Sequence, residues 1–315
     1  MKKPIVVLTG PTAVGKTELS IQLAKAIGGE IISADSMQVY KYMDVGSAKI
    51  TPEEMDGVRH YLVDELEPFD EFHVVKFQEY AQKYLNEIYA HEKIPIIAGG
   101  TGFYIQALLN DIDFTEQESD SAYRKELEAL AEEHGNQYLH DRLKEVDPES
   151  AEAIHPNNRK RVIRALEFFQ ETGGKISEHN AKEQMRTSPY NFAYFVLNDE
   201  RSHLYKKIDA RVDKMIEDGL EAEVRRLKEM GCTKDMVAMQ GIGYKEMLSY
   251  LDGGYSLEEA VYIIKRETRH FAKRQITWFK RERDVIWLNK NEFDYKNEAI
   301  LAYMIKILKE KAIIS

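Results

Sequence analysis

Close to the start of the chain, Gly10-Pro11-Thr12-Ala13-Val14-Gly15-Lys16-Thr17 spells G-x-x-x-x-G-K-T, with the apolar run Ile5 to Leu8 before it and a helical pattern after it. That context matters, because a strand, a glycine loop and a helix start together let successive backbone N–H groups converge on phosphate oxygens. Lys16 adds a point charge to the same anion. Thr17, the first hydroxyl after it, is placed to hold Mg²⁺ bridging two phosphate groups. The motif fixes a phosphate and leaves open what carries it.

Three further stretches each follow a strand candidate or stand as a glycine pair. Asp35, in Ser33-Ala34-Asp35-Ser36-Met37-Gln38, would project at the same sheet edge as the phosphate loop, as a base, a magnesium ligand or simply a cap. Gly99-Gly100-Thr101-Gly102 can bring a hydroxyl and N–H groups to the same anion, or can be no more than a tight turn into a helix. Gln240-Gly241-Ile242-Gly243-Tyr244-Lys245 suggests close backbone approach to something polar or planar.

These residues need a parallel sheet to hold them. Strands are predicted over Ile5–Thr9, Glu30–Ser33, Ile94–Ala98, Ala193–Leu197 and Val285–Leu288, separated by helical patterns, which gives an α/β fold. From about Asp113 to about Ser188 only amphipathic helices are predicted, with joints at Glu133-His134-Gly135, Asp147-Pro148 and Thr172-Gly173-Gly174. The expected division is therefore a sheet domain over 1–112 and 191–315 with a helical insertion at 113–190. Long helical runs are expected over Glu200 to Met230 and Leu257 to Arg283, and a last helix over Glu298 to Lys311.

The 315 residues are 43% hydrophobic, with one cysteine and nine histidines. Cys232 alone supports neither a disulfide framework nor a cysteine-built zinc site, and the histidines lack metal-ligand spacing. No apolar run of about 18 residues is present, so neither a membrane span nor a cleavable signal is expected, and the cytoplasm is the expected compartment. A net charge of −10 argues at first against a nucleic-acid partner. Its distribution argues otherwise. The acids gather at Glu116 to Glu133 and Glu217 to Glu229, whereas Arg159-Lys160-Arg161 with Arg164, and the run from Lys265 and Arg266 through Arg269, Lys273, Arg274 and Lys280 to Arg283, are locally basic. In helical register Lys265, Arg269 and Lys273 form one row and Arg266, His270 and Arg274 the next, a broad cationic face suited to a polyanion. Trp278 and Phe279 could stack on bases, but at helical spacing they read as core.

The series GPTAVGKT, ISADSMQVY followed by GSAK, IIAGGTGFY, IHPNNRKRVIRALE, QGIGYKEM and RHFAKRQITWFKR, in this order, resembles the bacterial tRNA dimethylallyltransferase (tRNA isopentenyltransferase) family over nearly the whole chain. The resemblance implies a core like that of P-loop nucleoside triphosphate hydrolases with a helical insertion. It also implies transfer of a dimethylallyl group from dimethylallyl diphosphate to the exocyclic amine of adenosine 37 in tRNA, by a monomer using Mg²⁺. On this likeness Gly10 to Thr17 hold the diphosphate, with the metal at Thr17, and Asp35, Thr101, Lys16 and Arg211 are catalytic. Contacts to tRNA fall to Asp35, Ser36, Met37, Gln38, Thr101, Arg124, to Arg159, Lys160, Arg161, Val162 and Ile163, and to Gln240, Gly241, Ile242, Gly243, Tyr244 and Lys245. Two rivals share some of these features: a small-molecule kinase would put ATP on the same loop, and a non-catalytic RNA-binding protein would need only the basic face. Isopentenyltransferases acting on free adenylate share the loop as well, but not the insertion and the basic face.

Overall fold

The structure, a computed structural model, describes residues 2–112 and 122–314. Among them six strands form one sheet: β1 (Lys3–Thr9), β2 (Gly29–Ala34), β3 (His60–Tyr61), β4 (Ile94–Gly99), β5 (Tyr190–Asn198) and β6 (Val285–Asn289). All pairings are parallel, in the order β3-β2-β4-β1-β5-β6. Five of the six lie where apolar runs predict strands. β3 has no such counterpart, since two residues beside β2 make no run and show no period.

A central parallel strand is buried on both faces and so reads as continuous apolar sequence. In β1 the alternate residues Val6 and Leu8 pack with Leu19 and Leu23 of helix Lys16–Ile27 and Met304 of helix Asn297–Glu310. Ile5 and Val7 belong to the opposite layer, with Phe77, Leu85 and Ile88 of helix Val74–Ala90. The register then sets the site, because Thr9, Gly99 and Ala34 are level neighbours at the carboxyl ends of β1, β4 and β2. The loop after each strand starts from the same height.

By contacts the chain divides into Met1–Leu109 with Pro189–Ser315, and Asn110–Ser188. The second unit carries helices Ala122–His134, Asn136–Val146, Pro148–Ala153, Arg159–Thr172 and Ile176–Met185 around its own core of Leu127, Leu139, Leu143, Val162, Ile163 and Leu166. Its helices break at the predicted joints. Asp147 accepts a hydrogen bond from the Ser150 N–H ahead of Pro148, and Gly173 closes its helix in the left-handed region at φ 68°. The expected start of the insertion at Asp113, and the acidic residues Glu116, Glu118 and Asp120, lie outside the described residues.

One expected helix is two. The run from Glu200 to Met230 forms Arg201–Glu217 and Leu220–Glu229, because Gly219 turns the chain at φ 96°. The run from Leu257 likewise ends at Phe279 rather than Arg283. Among the described residues no helix is long and apolar enough to cross a membrane.

Candidate active site

The phosphate loop is built by steric necessity at its first glycine. Gly10 has φ 145°, and a Cβ there would stand 2.2 Å from the carbonyl oxygen of Leu197 on β5. Gly15, at φ 99°, begins helix Lys16–Ile27 with no side-chain cap, and Ala13 is held at φ 63°. The first-turn N–H groups are thus left for an anion. Lys16 Nζ donates to the carbonyls of Gly10 (3.0 Å) and Pro11 (2.9 Å). Burial, and then the charge of Arg211, lower its pKa to about 8 against the opposing pull of Asp35. Burial also lowers the pKa of Arg211, again offset by Asp35. Lys16 and Arg211 thus share a cavity with the carboxylate of Asp35, an arrangement that an entering anion relieves.

That cavity, of about 520 Å³, is lined by Thr12, Lys16, Thr17, Asp35, Thr101 and Arg211. Ser36, Met37, Gln38, Gln240, Gly241, Ile242 and Lys245 line it too, so the phosphate loop, the Asp35 and Thr101 turns, Arg211 and the Gln240–Lys245 segment meet there. Gly10, Pro11, Ala13, Val14 and Gly15 form the loop behind this wall, with the Val14 side chain wholly buried. Asp35 Oδ1 accepts from the N–H groups of Met37 (2.8 Å) and Gln38 (3.3 Å), closing its own turn rather than capping a helix. No partner is recorded for its second oxygen among the described residues. Gly99 gives Thr101 its place: a Cβ on Gly99 would lie 2.3 Å from the carbonyl oxygen of Ala34, and the Thr101 N–H donates to that oxygen. Thr17, the second residue of its helix, offers a hard oxygen donor that a magnesium ion bound to a diphosphate would use.

Residues beyond the predicted set hold these in position. Arg211 Nη2 donates to the carbonyl of Ser47 at 3.4 Å. The segment around Ser47 is fixed by the buried carboxylate of Glu223, which accepts from the N–H groups of Asp44, Val45 and Gly46 at 2.8, 2.8 and 3.0 Å and from the Tyr244 hydroxyl at 2.8 Å. Gln38 Nε2 donates to the Ala48 carbonyl at 3.2 Å, and the buried Lys49 ammonium reaches the Tyr40 carbonyl, Asp44 and Asp64. Glu223 left one faint sign in the sequence, sharing a helical stripe with Leu220, Val224 and Leu227, where a carboxylate must find donors.

Several expected contacts are placed otherwise. Tyr244 is fully buried, its ring against Gly46 and its hydroxyl on Glu223, so it faces the core and no base. The close approach at Gly241 is to the Met37 sulfur of the same chain, with no room for a Cβ. Gly243 supplies a positive φ of 101° at the start of helix Tyr244–Leu251. In the helical unit the Val162 and Ile163 side chains belong to its core, and the Arg124 guanidinium is spent on Glu167, with bonds of 3.0 and 2.6 Å. Lys160 and Arg161 are exposed and Arg159 half-buried. The cationic face of helix Leu257–Phe279 is partly neutralised: Lys265 pairs with Asp213 at 2.6 Å and Arg269 with Asp209 at 2.5 Å. Lys273 and Arg274 remain exposed beside Arg281, around a second cleft of about 420 Å³. Phe279 is buried and Trp278 packs on Gly102 and Phe103, as helical spacing predicts.

The chain is similar in sequence and in fold to known proteins. The family model described as IPP transferase matches residues 38–282. A protein from Lachnoclostridium phytofermentans named tRNA dimethylallyltransferase is 64% identical over 313 residues, covering 99% of both chains. Among solved structures, the full-length tRNA isopentenylpyrophosphate transferase of Bacillus halodurans is 45% identical with a TM-score of 0.74, covering 99% of this chain and 98% of its own. A eukaryotic dimethylallyltransferase described as acting on tRNA superimposes with a TM-score of 0.79 at 31% identity, over 91% of this chain and 74% of that one. With a family match across most of its length and a near-full-length relative at this identity, the chain belongs to the IPP transferase family, alongside the tRNA dimethylallyltransferases.

Proposed function

We propose that the protein transfers a dimethylallyl group from dimethylallyl diphosphate to the exocyclic amine of adenosine 37 in tRNA. The observation that carries this reading is the grouping of Lys16, Arg211, Asp35 and Thr101 on one cavity, with both cations held at lowered pKa until an anion arrives. An adenine amine is a weak nucleophile, its lone pair delocalised into the ring, so it must be positioned and relieved of a proton. As the nitrogen–carbon bond forms, the carbon–oxygen bond breaks and its electron pair leaves on diphosphate. The loop N–H groups, Lys16 and Arg211 stabilise that charge, and Asp35 accepts the amine proton. Apolar wall residues such as Phe72, Ile208 and Val212 suit the hydrocarbon end of the donor.

Mg²⁺, held through Thr17, would add charge neutralisation at the leaving diphosphate. A stacked anticodon loop hides its bases, so the target adenosine is read here as flipped into the cavity between the Asp35–Gln38 and Gln240–Lys245 segments. Arg159, Lys160 and Arg161, with Lys273 and Arg274, take the RNA phosphates. On the same reading the protein acts as a monomer, where its tRNA substrate is, in the cytoplasm.

The test is label transfer from radiolabelled dimethylallyl diphosphate, with Mg²⁺, to unmodified anticodon stem-loop RNA or to AMP. Label in RNA alone is expected. Label in AMP would move the reading to free-nucleotide enzymes, and ATP turnover without label would move it to kinases. Asp35→Asn keeps an oxygen for the Met37 and Gln38 N–H groups but is no base, so kcat should fall by about 10²- to 10⁴-fold while the unfolding midpoint holds.

A further inference from the structure

Gln275 is a polar residue on an apolar stripe. It lies on helix Leu257–Phe279 with Ala272 and Phe279, and is 6% exposed. Its Oε1 accepts from the Thr12 N–H at 2.9 Å, and its Nε2 donates to the Gly100 carbonyl at 2.9 Å. A Cβ on Gly100 would lie 2.3 Å from Nε2, so the amide holds this place only beside a glycine. One side chain therefore ties the phosphate loop to the turn that presents Thr101. The two residues before it, Lys273 and Arg274, are exposed cations, and Arg274 also lines the main cavity.

A helix is a stiff body, so a shift of the Lys273–Arg274 turn carries the Gln275 amide with it. The bonds to Thr12 and Gly100 are both 2.9 Å here, so a displacement of that helix would lengthen both. Phosphates resting on Lys273 and Arg274 favour a single register; a diphosphate in the loop favours the register in which Thr12 is fixed. Two ligands that favour one arrangement strengthen each other. We propose that Gln275 is a positioning residue through which RNA held on the basic helix tightens diphosphate binding in the loop. The proposal rests on the RNA-modifying reading above.

The experiment measures the affinity of a non-reactive thiolo analogue of dimethylallyl diphosphate, with Mg²⁺, in the presence and absence of unmodified anticodon stem-loop RNA. For the unaltered protein the affinity should rise about five- to tenfold with RNA, at the low end of measured coupling factors. Gln275→Met fills the volume with neither donor nor acceptor. It should bring that ratio to one while RNA affinity stays within twofold, a split that a merely structural role does not produce. Gln275→Glu keeps an acceptor for Thr12 but sets an oxygen against the Gly100 carbonyl, and should lose the coupling as well. It serves as the test if the methionine variant fails to fold by its thermal midpoint. A folded variant that keeps the full ratio, or a ratio of one in the unaltered protein, overturns the proposal. Binding of neither ligand by the unaltered protein would instead overturn the reading of its function.

Discussion

At the scale of single residues, Lys16 makes the sharpest demand. Burial, and then Arg211, disfavour its charge and hold its pKa at about 8. A bound diphosphate favours the ammonium and raises that pKa. Binding above about pH 8 therefore takes up a proton, and the donor affinity should fall roughly tenfold per pH unit from there until the raised pKa of the complex is reached. Titrating donor affinity between pH 7 and 9.5 checks this, and Lys16→Arg, which stays charged throughout, should flatten the profile. A flat profile in the unaltered protein would show that Lys16 keeps its charge in the empty loop. Lys16 was legible in the sequence because in a phosphate loop the spacing is the chemistry. Glu223 and Gln275 were not, for their roles come from partners 177 to 179 and 175 to 263 positions away. Each did leave a faint sign, a polar residue where a helix shows its apolar stripe. Tyr244 goes in the other direction: an aromatic after a glycine pair, given a tRNA contact by the resemblance, has its side chain buried against Gly46 and Glu223.

At the scale of elements, helix Arg159–Thr172 starts against its own dipole. Arg159, Lys160 and Arg161 fill its first turn, where positive charge opposes the partial positive end of the helix, and Asn158 gives no side-chain cap. Cations in that place cost stability, about 0.3 to 1 kcal/mol each, and an arriving phosphate removes the conflict. Replacing Arg159 and Arg161 by Glu should then separate two measurements. The thermal midpoint should hold or rise, since acids suit a first turn, while RNA affinity should fall tenfold or more at low salt. Loss of both together would mark the arginines as structural, and loss of neither would remove the helical unit from RNA binding. The elements themselves were mostly readable, because β1, β4 and β5 are buried on both faces and therefore apolar without interruption. What escaped was β3, too short to carry a period, and the break at Gly219, where one left-handed glycine divides a run whose side chains otherwise suit a single helix.

For the molecule as a whole, the question is how a chain of net charge −10 binds a polyanion. Part of the apparent cationic face is already spent within the sheet domain, where Asp209 and Asp213 on helix Arg201–Glu217 pair with Arg269 and Lys265. Such pairs are half-exposed and weak in themselves, but they compete with phosphate for the same two cations. Lys273 and Arg274 have no recorded acidic partner among the described residues, and these should release counterions when RNA binds. The salt dependence of RNA affinity distinguishes the two sets. Lys273→Ala and Arg274→Ala should each flatten the plot of log affinity against log salt by about one. The double variant Asp209→Asn with Asp213→Asn should steepen it and tighten binding, because Arg269 and Lys265 are freed to reach the backbone. Removing two exposed acids elsewhere, Glu53→Gln with Glu92→Gln, changes the net charge by the same amount; a steeper slope from the Asp209 and Asp213 pair alone would show that local pairing, and not the overall charge, sets how strongly this acidic protein holds RNA. Equal responses from the two pairs of acids would mean that only the summed field matters, and would remove the basic helix as a specific phosphate ladder.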